Sequence, residues 1–406
     1  MKPIYIAISL ANFFIASCFG LVLRSAFVYP EVNAYFTYSY LLHTHSHLAM
    51  LGWLYMLVFI LFVQFFAIHT RKEQRFYNRL FWLTQVSVIG MMLTFPLQGY
   101  AAPSIAFSTL HILCSYALGY RLWKYNTIGN PQTRRLLKTA IICLFLSTLG
   151  AWSLGPIGGI LGKTSVYFQL CIQFFLHFQL NGWFLTAFIT LFFHYFFSKK
   201  TIPYFTSFYG FWVLSMVFTF GLVFAWYLDI PLIFKINTIG VIAQFLAFGI
   251  LGCSVWNMIQ LKQSLSLSTW WLILAFSCLF FRILAQLSTV VESIAVPTQA
   301  IRSWIIGFIH LNMLGIMTGF GIWLLIQLEQ IKVNGGLKLA TICLLGAFAS
   351  TQFVLLLQGL KIATSASFVF REHTWLFVCS IGFPLGILLL LFTTAMKSKE
   401  GKIFAS

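Results

Sequence analysis

Twelve long apolar stretches follow one another along this chain, and they constrain its fold more than any other feature. A helix needs about 20 apolar residues to cross a hydrocarbon core roughly 30 Å thick. No long polar segment is left for an extramembrane domain. The sequence predicts an all-α polytopic membrane protein, with residues 1–406 as a single integral membrane domain. Its predicted transmembrane helices are 4–28, 38–68, 79–100, 103–124, 136–156, 166–197, 203–228, 231–259, 269–291, 301–328, 336–360 and 373–396.

The composition excludes several other classes of protein. Hydrophobic residues make up 60% of the chain and charged residues 8%, whereas a soluble domain has about half apolar and about a quarter charged residues. A soluble enzyme, a disordered chain and a transmembrane β-barrel do not have this composition. The eight cysteines all fall inside predicted helices, which argues against a disulfide scaffold. No CxxCH motif offers covalent attachment of a haem.

The net charge of +18 reflects membrane topology. Lysine and arginine gather in alternate loops, and cytoplasmic loops are the ones enriched in these residues. We therefore predict a multi-pass inner (cell) membrane protein with both termini in the cytoplasm, in contact with lipid and not with nucleic acid. The residues on the predicted cytoplasmic side are Lys2, Arg71, Lys72, Arg75, Arg79, Arg121, Lys124, Arg134, Arg135, Lys138, Lys199, Lys200, Lys262, Lys332, Lys338, Lys397, Lys399 and Lys402.

A short motif, H-x4-G, recurs three times in the predicted helices. The copies are separated by 130 and 133 residues, and each interval contains four predicted spans. A repeat of this period predicts three four-helix units related by pseudo-threefold symmetry. The three copies are His47 to Gly52 followed by Trp53, His177 to Gly182 followed by Trp183, and His310 to Gly315 followed by Ile316.

Seven of the nine histidines fall in the outer half of the predicted membrane domain. Ionisable side chains at membrane depth are costly and usually face the interior of the helix bundle. His69 and His194 lie near the inner boundary, where interfacial water can solvate them. The outer seven are His43, His45, His47, His111, His177, His310 and His373.

Two histidines at equal depth on different helices suit a haem. A low-spin haem iron takes one axial imidazole from each face of the porphyrin. His47 in the second predicted helix and His310 in the tenth are the candidate pair. The nearby glycines would let a porphyrin, or a neighbouring helix, approach closely. The alternative is that each histidine is a hydrogen-bonded core residue and each glycine a helix contact.

The spacing of the three histidines in the second predicted helix allows two sites. His43 and His47 are four residues apart, so they share a helix face as two ligands of one metal ion would. His45 is turned about 200° away from that face. We therefore expect His45, a further candidate ligand, to serve a different site from His47.

The chain resembles subunit I of the haem-copper oxidases and nitric oxide reductases. Its stretch His45 to Trp53 is similar to the HxHxGxxGW run of the cbb-type oxidases, although in that family the run lies in helix 10. The resemblance implies a low-spin haem b between helices 2 and 10, here His47 and His310. A looser resemblance connects the chain to the NnrS-type haem membrane proteins, which are linked to nitric oxide.

The resemblance also implies a second metal centre, and here the sequence departs from the family. The family's copper or non-haem iron takes one histidine from helix 6 and two from helix 7. His177 matches the first, but the seventh predicted helix contains no histidine. His111 and His43 are other candidate metal ligands. Arg302 and Arg371, at the outer ends of the tenth and twelfth predicted helices, are candidate partners for haem propionates.

Two functions are compatible with these features. The first is a haem-binding membrane protein in electron transfer or in the chemistry or sensing of dioxygen or nitric oxide. It would have a copper ion or second haem as a further cofactor and an electron-donor protein on its outer face. As an enzyme it would be an oxidoreductase of the oxygen or nitric oxide reductase type. The alternative is a cofactor-free transporter whose membrane histidines relay protons or metal ions.

Overall fold

The described part of the chain is helical, as the sequence predicts. A computed structural model describes residues 3–228, 230–256, 266–365 and 371–403. Lys2, Lys262 and the last three residues of the predicted span 231–259 lie outside these ranges. The long helices are α1 (Pro3–Ser25), α2 (Tyr38–Phe66), α3 (Arg71–Gln98), α4 (Ala102–Lys124), α5 (Pro131–Ile160), α6 (Val166–Phe197), α7 (Phe205–Tyr227), α8 (Pro231–Trp256), α9 (Leu267–Ser288), α10 (Arg302–Gln327), α11 (Gly335–Thr364) and α12 (Glu372–Ser380, continuing as Gly382–Ile403).

Eleven helices in the described residues are long and apolar enough to cross a membrane. Of the twelve long helices, α4 is not among these eleven. Serine, tyrosine and His111 interrupt its apolar residues and lower its hydropathy. Many apolar helices of this length indicate a multi-pass membrane protein. The sides on which the termini lie, and the predicted arrangement in three four-helix units, remain predictions.

The chain divides into two compact units. The first unit contains residues 1–126, 265–275 and 306–406, so it holds α1 to α4, α11, α12 and most of α10. The second unit contains residues 127–264 and 276–305, with α5 to α8 and most of α9.

Polar side chains fix where several helices begin. An N-cap side chain accepts a hydrogen bond from a backbone N–H group that the first turn leaves without a partner. Thr70 accepts from the Glu73 N–H at the start of α3, and Asn334 accepts from Leu337 at the start of α11. Asn130 caps α5, in which Pro131 is the first residue and needs no such partner.

Burial along three helices changes at the repeated histidines. Every residue is buried from 50 to 62 in α2, from 182 to 193 in α6 and from 315 to 326 in α10. Before the histidines the same helices are mostly half-buried, and Val166–His177 in α6 contains no buried residue. Side chains therefore surround the C-terminal halves of these helices, whereas the N-terminal halves, up to the histidines, are only partly covered by protein.

Candidate functional site

A π-helical segment follows each of the three repeated histidines. The segments are Leu48–Tyr55 after His47, Phe178–Phe184 after His177 and Leu311–Thr318 after His310. A π turn holds one extra residue per turn, which displaces backbone carbonyl groups from the α-helical hydrogen-bond pattern, and it is frequent at functional sites. The sequence repeat is thus also a repeat of local structure.

The π turn of α2 is tied to two neighbouring helices. Asn12 of α1 donates from Nδ2 to the Gly52 carbonyl at 2.9 Å. The same amide exchanges hydrogen bonds of 2.9 and 3.0 Å with Gln85 of α3. Trp53 stacks on Phe13 and donates from Nε1 to Thr318 Oγ1 of α10 at 2.8 Å. These contacts fix the rotation of α2, and with it the direction of its histidines.

The glycines of the first two repeats face neighbouring helices. A Cβ atom on Gly52 would lie 3.0 Å from Val88 and 3.1 Å from Asn12, and one on Gly182 would lie 2.8 Å from the Cys143 Cβ. Real Cβ atoms hardly ever approach within 3.0 Å of another heavy atom. At these two positions the glycine allows two helices to pack closely. Of the two roles considered for the glycines, approach of a porphyrin or of a neighbouring helix, the structure has the second here.

His45 is held by α1 through one ring nitrogen. Its Nδ1 lies 2.8 Å from the Ala16 carbonyl oxygen. Because a carbonyl only accepts hydrogen bonds, Nδ1 carries the proton and Nε2 keeps its lone pair. Gly20 makes room for the ring, since a Cβ there would lie 2.8 Å from His45 Cε1. This is the tautomer and support typical of a metal-ligating histidine.

His310 of α10 lies in the electrostatic environment of His45 and Arg24. A charge on Arg24 or on a protonated His45 would act on His310, and the charge of Arg24 would also act on His45. All three residues belong to the first unit. The histidine of α2 that the structure associates with His310 is therefore His45, whereas the sequence motif points to His47.

His47 lies in a second cluster, on another face of α2. Its Nδ1 lies 2.8 Å from the His43 carbonyl, and its ring packs on Phe95 at 4.5 Å between centroids. Its Nε2 lies 3.5 Å from the hydroxyl of Tyr100, a residue between α3 and α4. Desolvation raises the pKa of the Tyr100 phenol to about 12, so this group stays protonated and donates. The His43 ring is 4.6 Å from Tyr100.

His111 of α4 belongs to the same cluster as His47. It is a buried side chain that hydrogen-bonds the Leu51 carbonyl of the α2 π turn. Its Nε2 is buried and has no hydrogen-bond partner among the described residues. The ring packs edge-on against Tyr55 at 4.5 Å. The charge of His47 acts on His111, so the two imidazoles share one environment.

His177 has both ring nitrogens hydrogen-bonded within the second unit. Nε2 donates to the Met216 carbonyl of α7 at 2.8 Å, and Asn181 donates from Nδ2 to Nδ1 at 3.3 Å. Asn181 Oδ1 then accepts from Arg282 at 2.9 Å, and Arg282 donates to Gln244 at 3.1 Å. The Met216 carbonyl lies just before the break in α7 at residues 219–220. His177 thus compensates for an interrupted helix, and no ring nitrogen is left for a metal.

The arginines expected beside haem propionates lie at helix ends. Arg302 and Arg371 are both exposed, at the starts of α10 and α12. His373, the second residue of α12, stacks on Phe27 with a centroid distance of 4.8 Å. The arginine that acts on His45 and His310 is Arg24, which sequence reasoning did not select. Its position near the end of an apolar helix, four residues after Gly20, is the signal that was available.

The predicted metal ligands His43, His111 and His177 are not arranged around one metal ion in the described part of the chain. Within the described ranges, no three His, Cys, Asp or Glu side chains come together as ligands of one metal ion. His43 and His111 lie in the His47 cluster of the first unit, and His177 lies in the network of the second.

No protein-family model matches this chain, and no curated protein matches it either. The histidine environments described above are therefore the basis on which a function is proposed.

Proposed function

We propose that the protein is a haem-binding integral membrane protein in which His45 and His310 are the axial ligands of a haem b. One observation carries this proposal: His45 donates from Nδ1 to the Ala16 carbonyl and keeps the Nε2 lone pair that a metal needs, whereas the Nε2 of His47 faces the Tyr100 hydroxyl at 3.5 Å. His310, on a different helix, shares the same environment. Two neutral imidazoles from two helices are the donor set that a low-spin haem iron requires.

The residues around the pair suit a haem in charge, and the start of α10 is only partly covered by protein. Arg24 supplies a cation near both histidines, which suits a propionate. Gly20 leaves the His45 ring room beside α1. In the α10 stretch Arg302–His310, Ser303 is buried and the other side chains are only partly covered by protein or are exposed. His45 therefore replaces His47 in the pair that the sequence motif suggests.

A haem with two protein imidazoles supplies one-electron transfer, because no axial position remains for a gas molecule. The chain would bind the haem, set its charge environment through Arg24 and exclude water with Trp53 and Tyr55 of the α2 π turn and the apolar residues of the α10 π turn. The donor would be a protein on the predicted outer face. A family-type copper site has no support, since His177 uses both ring nitrogens inside the protein.

The proposal is tested by purifying the full-length protein in detergent and recording oxidised and dithionite-reduced visible spectra, with iron and copper analysis on the same sample. We expect one iron per chain and a sharp α-band on reduction. A preparation that stays colourless after haem is supplied during expression contradicts the proposal.

A second candidate function, a cofactor-free transporter, has one observation in its favour. Discontinuous membrane helices mark the binding sites of many secondary transporters, and α7 is interrupted at Thr219 and Phe220 with His177 on the freed Met216 carbonyl. Proton or metal-ion flux into proteoliposomes that is lost on His177→Ala, from a colourless protein, would favour this function.

A further inference from the structure

A pocket lies in the second unit where the start of α5 meets the loop between α6 and α7. Its volume is about 360 Å³, and it is lined by Pro131, Gln132, Arg135, Ile202, Tyr204, Phe205 and Thr206. The start of α5, the end of α6 and the start of α7 all belong to the predicted cytoplasmic side. The pocket is therefore expected at the level of lipid headgroups in the inner leaflet.

Hydrogen bonds hold the walls of this pocket in place. Gln132 accepts from the Ile202 N–H at 2.9 Å and donates to the Ile202 carbonyl at 3.1 Å. Asn130 donates to the carbonyls of Phe197 and Lys200 at 2.7 and 2.9 Å. The loop after α6 is thus fastened to the start of α5, and the pocket keeps its shape without a ligand.

Arg135 is the charged group of the pocket, and its orientation is fixed. Its guanidinium lies over the Tyr209 ring, 4.0 Å from the ring centroid. The Tyr209 hydroxyl in turn lies 2.8 Å from Thr139 Oγ1, one turn along α5 from Arg135. Stacking on an aromatic ring leaves the in-plane N–H groups of a guanidinium available to a planar or tetrahedral anion. The hydroxyls of Tyr204 and Thr206 line the same space.

The charge around the pocket has one sign. Arg134, Lys138, Lys199 and Lys200 are its sequence neighbours on α5 and in the loop. Among the described residues of the second unit, the acidic side chain is Glu292, which is exposed beyond the Ser288 end of α9. Phosphate groups are typically recognised by a guanidinium, whose paired N–H groups donate to two phosphate oxygens, within a basic surface.

We propose that this pocket binds the phosphodiester headgroup of an anionic phospholipid of the inner leaflet, with Arg135 as the residue that contacts the phosphate. The volume admits a phosphoglycerol headgroup, and the position at the predicted membrane surface favours a lipid over a soluble phosphate. The site is independent of the haem proposal, because none of its residues belongs to a histidine cluster.

The test uses the full-length protein, delipidated in a neutral detergent. Native mass spectrometry and thermal unfolding are recorded with phosphatidylglycerol, with phosphatidylcholine and with glycerol phosphate. We expect selective binding of phosphatidylglycerol, weakened about tenfold by Arg135→Gln. The matched control is Arg134→Gln, which removes the same charge from the neighbouring residue, whose guanidinium donates to the Ile128 carbonyl and does not line the pocket. It should bind phosphatidylglycerol as the wild type does.

Three results would overturn the proposal. Equal binding of phosphatidylglycerol by Arg135→Gln and wild type would exclude the site. Equal stabilisation by phosphatidylcholine would remove the headgroup preference, and the same shift with glycerol phosphate alone would assign the pocket to a soluble anion. If Arg135→Gln does not fold, Arg135→Lys keeps the charge but loses the fork, and it should also bind phosphatidylglycerol more weakly.

Discussion

At the scale of single residues, the hydrogen-bond partner of each imidazole determines what that histidine can do. His45 donates a hydrogen bond from Nδ1 to the Ala16 carbonyl and keeps a lone pair on Nε2. His177 belongs to the same sequence repeat as His47 and His310, yet both of its nitrogens are engaged by Met216 and Asn181. The sequence around a histidine therefore does not determine its hydrogen bonding: His45 keeps a lone pair on Nε2, whereas both ring nitrogens of His177 are used to support α7.

His177→Ala should lower the stability of the protein. The substitution leaves the Met216 carbonyl beside the break in α7 without its donor, and an unpaired buried polar group costs about 1–3 kcal/mol. Thermal unfolding in detergent measures the effect. His69→Ala, which removes an exposed histidine, is the control and should unfold close to the wild-type temperature. An unchanged unfolding temperature for His177→Ala would show that the network does not support α7.

Arg24→Gln should lower the midpoint potential of the proposed haem. A positive charge near the iron favours the reduced state, which holds one more electron, so its removal makes reduction harder. We expect a shift on the order of tens of millivolts in a redox titration. Arg371→Gln, at an exposed position, should shift the potential much less. A potential that is equal in Arg24→Gln and wild type would remove Arg24 from the haem environment.

The residue types of the site could be predicted from the sequence, but their pairing could not. Two residues of separation place His45 and His47 on different faces of one helix, and the structure has them in different environments. Which of the two belongs with His310 depends on the rotation of α2 about its axis. That rotation is set by Asn12, Gln85 and Thr318, which lie on other helices and do not appear in the motif.

At the scale of helices, the π turns explain why the H-x4-G motif is repeated. Each turn begins directly after the histidine and contains the glycine of its motif. The glycine permits close packing, as at Gly182 against Cys143, and the wider turn frees carbonyls such as that of Gly52 for a neighbouring side chain. An angle of 100° per residue holds from His43 to His47, which precede the turn, but it does not hold across the turn itself.

Gly182→Ala should destabilise the protein, because its new Cβ would lie 2.8 Å from the Cys143 Cβ and force α5 and α6 apart. Overpacking of this kind costs roughly 1–3 kcal/mol. Gly346→Ala in α11 introduces the same methyl group where no atom of another segment lies within 4 Å, and it should be neutral or slightly stabilising. Thermal unfolding of both variants makes the comparison. Equal unfolding temperatures would contradict the close approach of the two helices.

At the scale of the whole molecule, apolar length and the distribution of charge determine the architecture. The all-helical fold is confirmed, and eleven helices of the described residues meet the requirements of a membrane span. The sequence also predicts a span at α4, which forms a helix but is more polar, because its serines and His111 face the first unit's interior. Buried polar side chains of this kind lower the hydropathy of a helix without revealing what they contact.

The distribution of lysine and arginine predicts that both termini are cytoplasmic. Fusion of alkaline phosphatase or green fluorescent protein after Ser406 tests this orientation, because the phosphatase is active only outside the cytoplasm and the fluorescent protein folds inside it. We expect fluorescence and no phosphatase activity. Phosphatase activity at this position would contradict the predicted topology. The His45 region would then lie toward the cytoplasmic side and the Arg135 region toward the outer side.

The central claim is tested most directly by reduced-minus-oxidised visible spectra of three single variants, His45→Ala, His47→Ala and His310→Ala, purified in parallel with the wild type. The positions of their side chains predict that His45→Ala and His310→Ala lose the α-band of a bis-histidine haem, whereas His47→Ala retains it. If His47→Ala loses the band and His45→Ala keeps it, the pairing of His45 with His310 is wrong. If the wild type has no such band, the protein does not bind haem in this way.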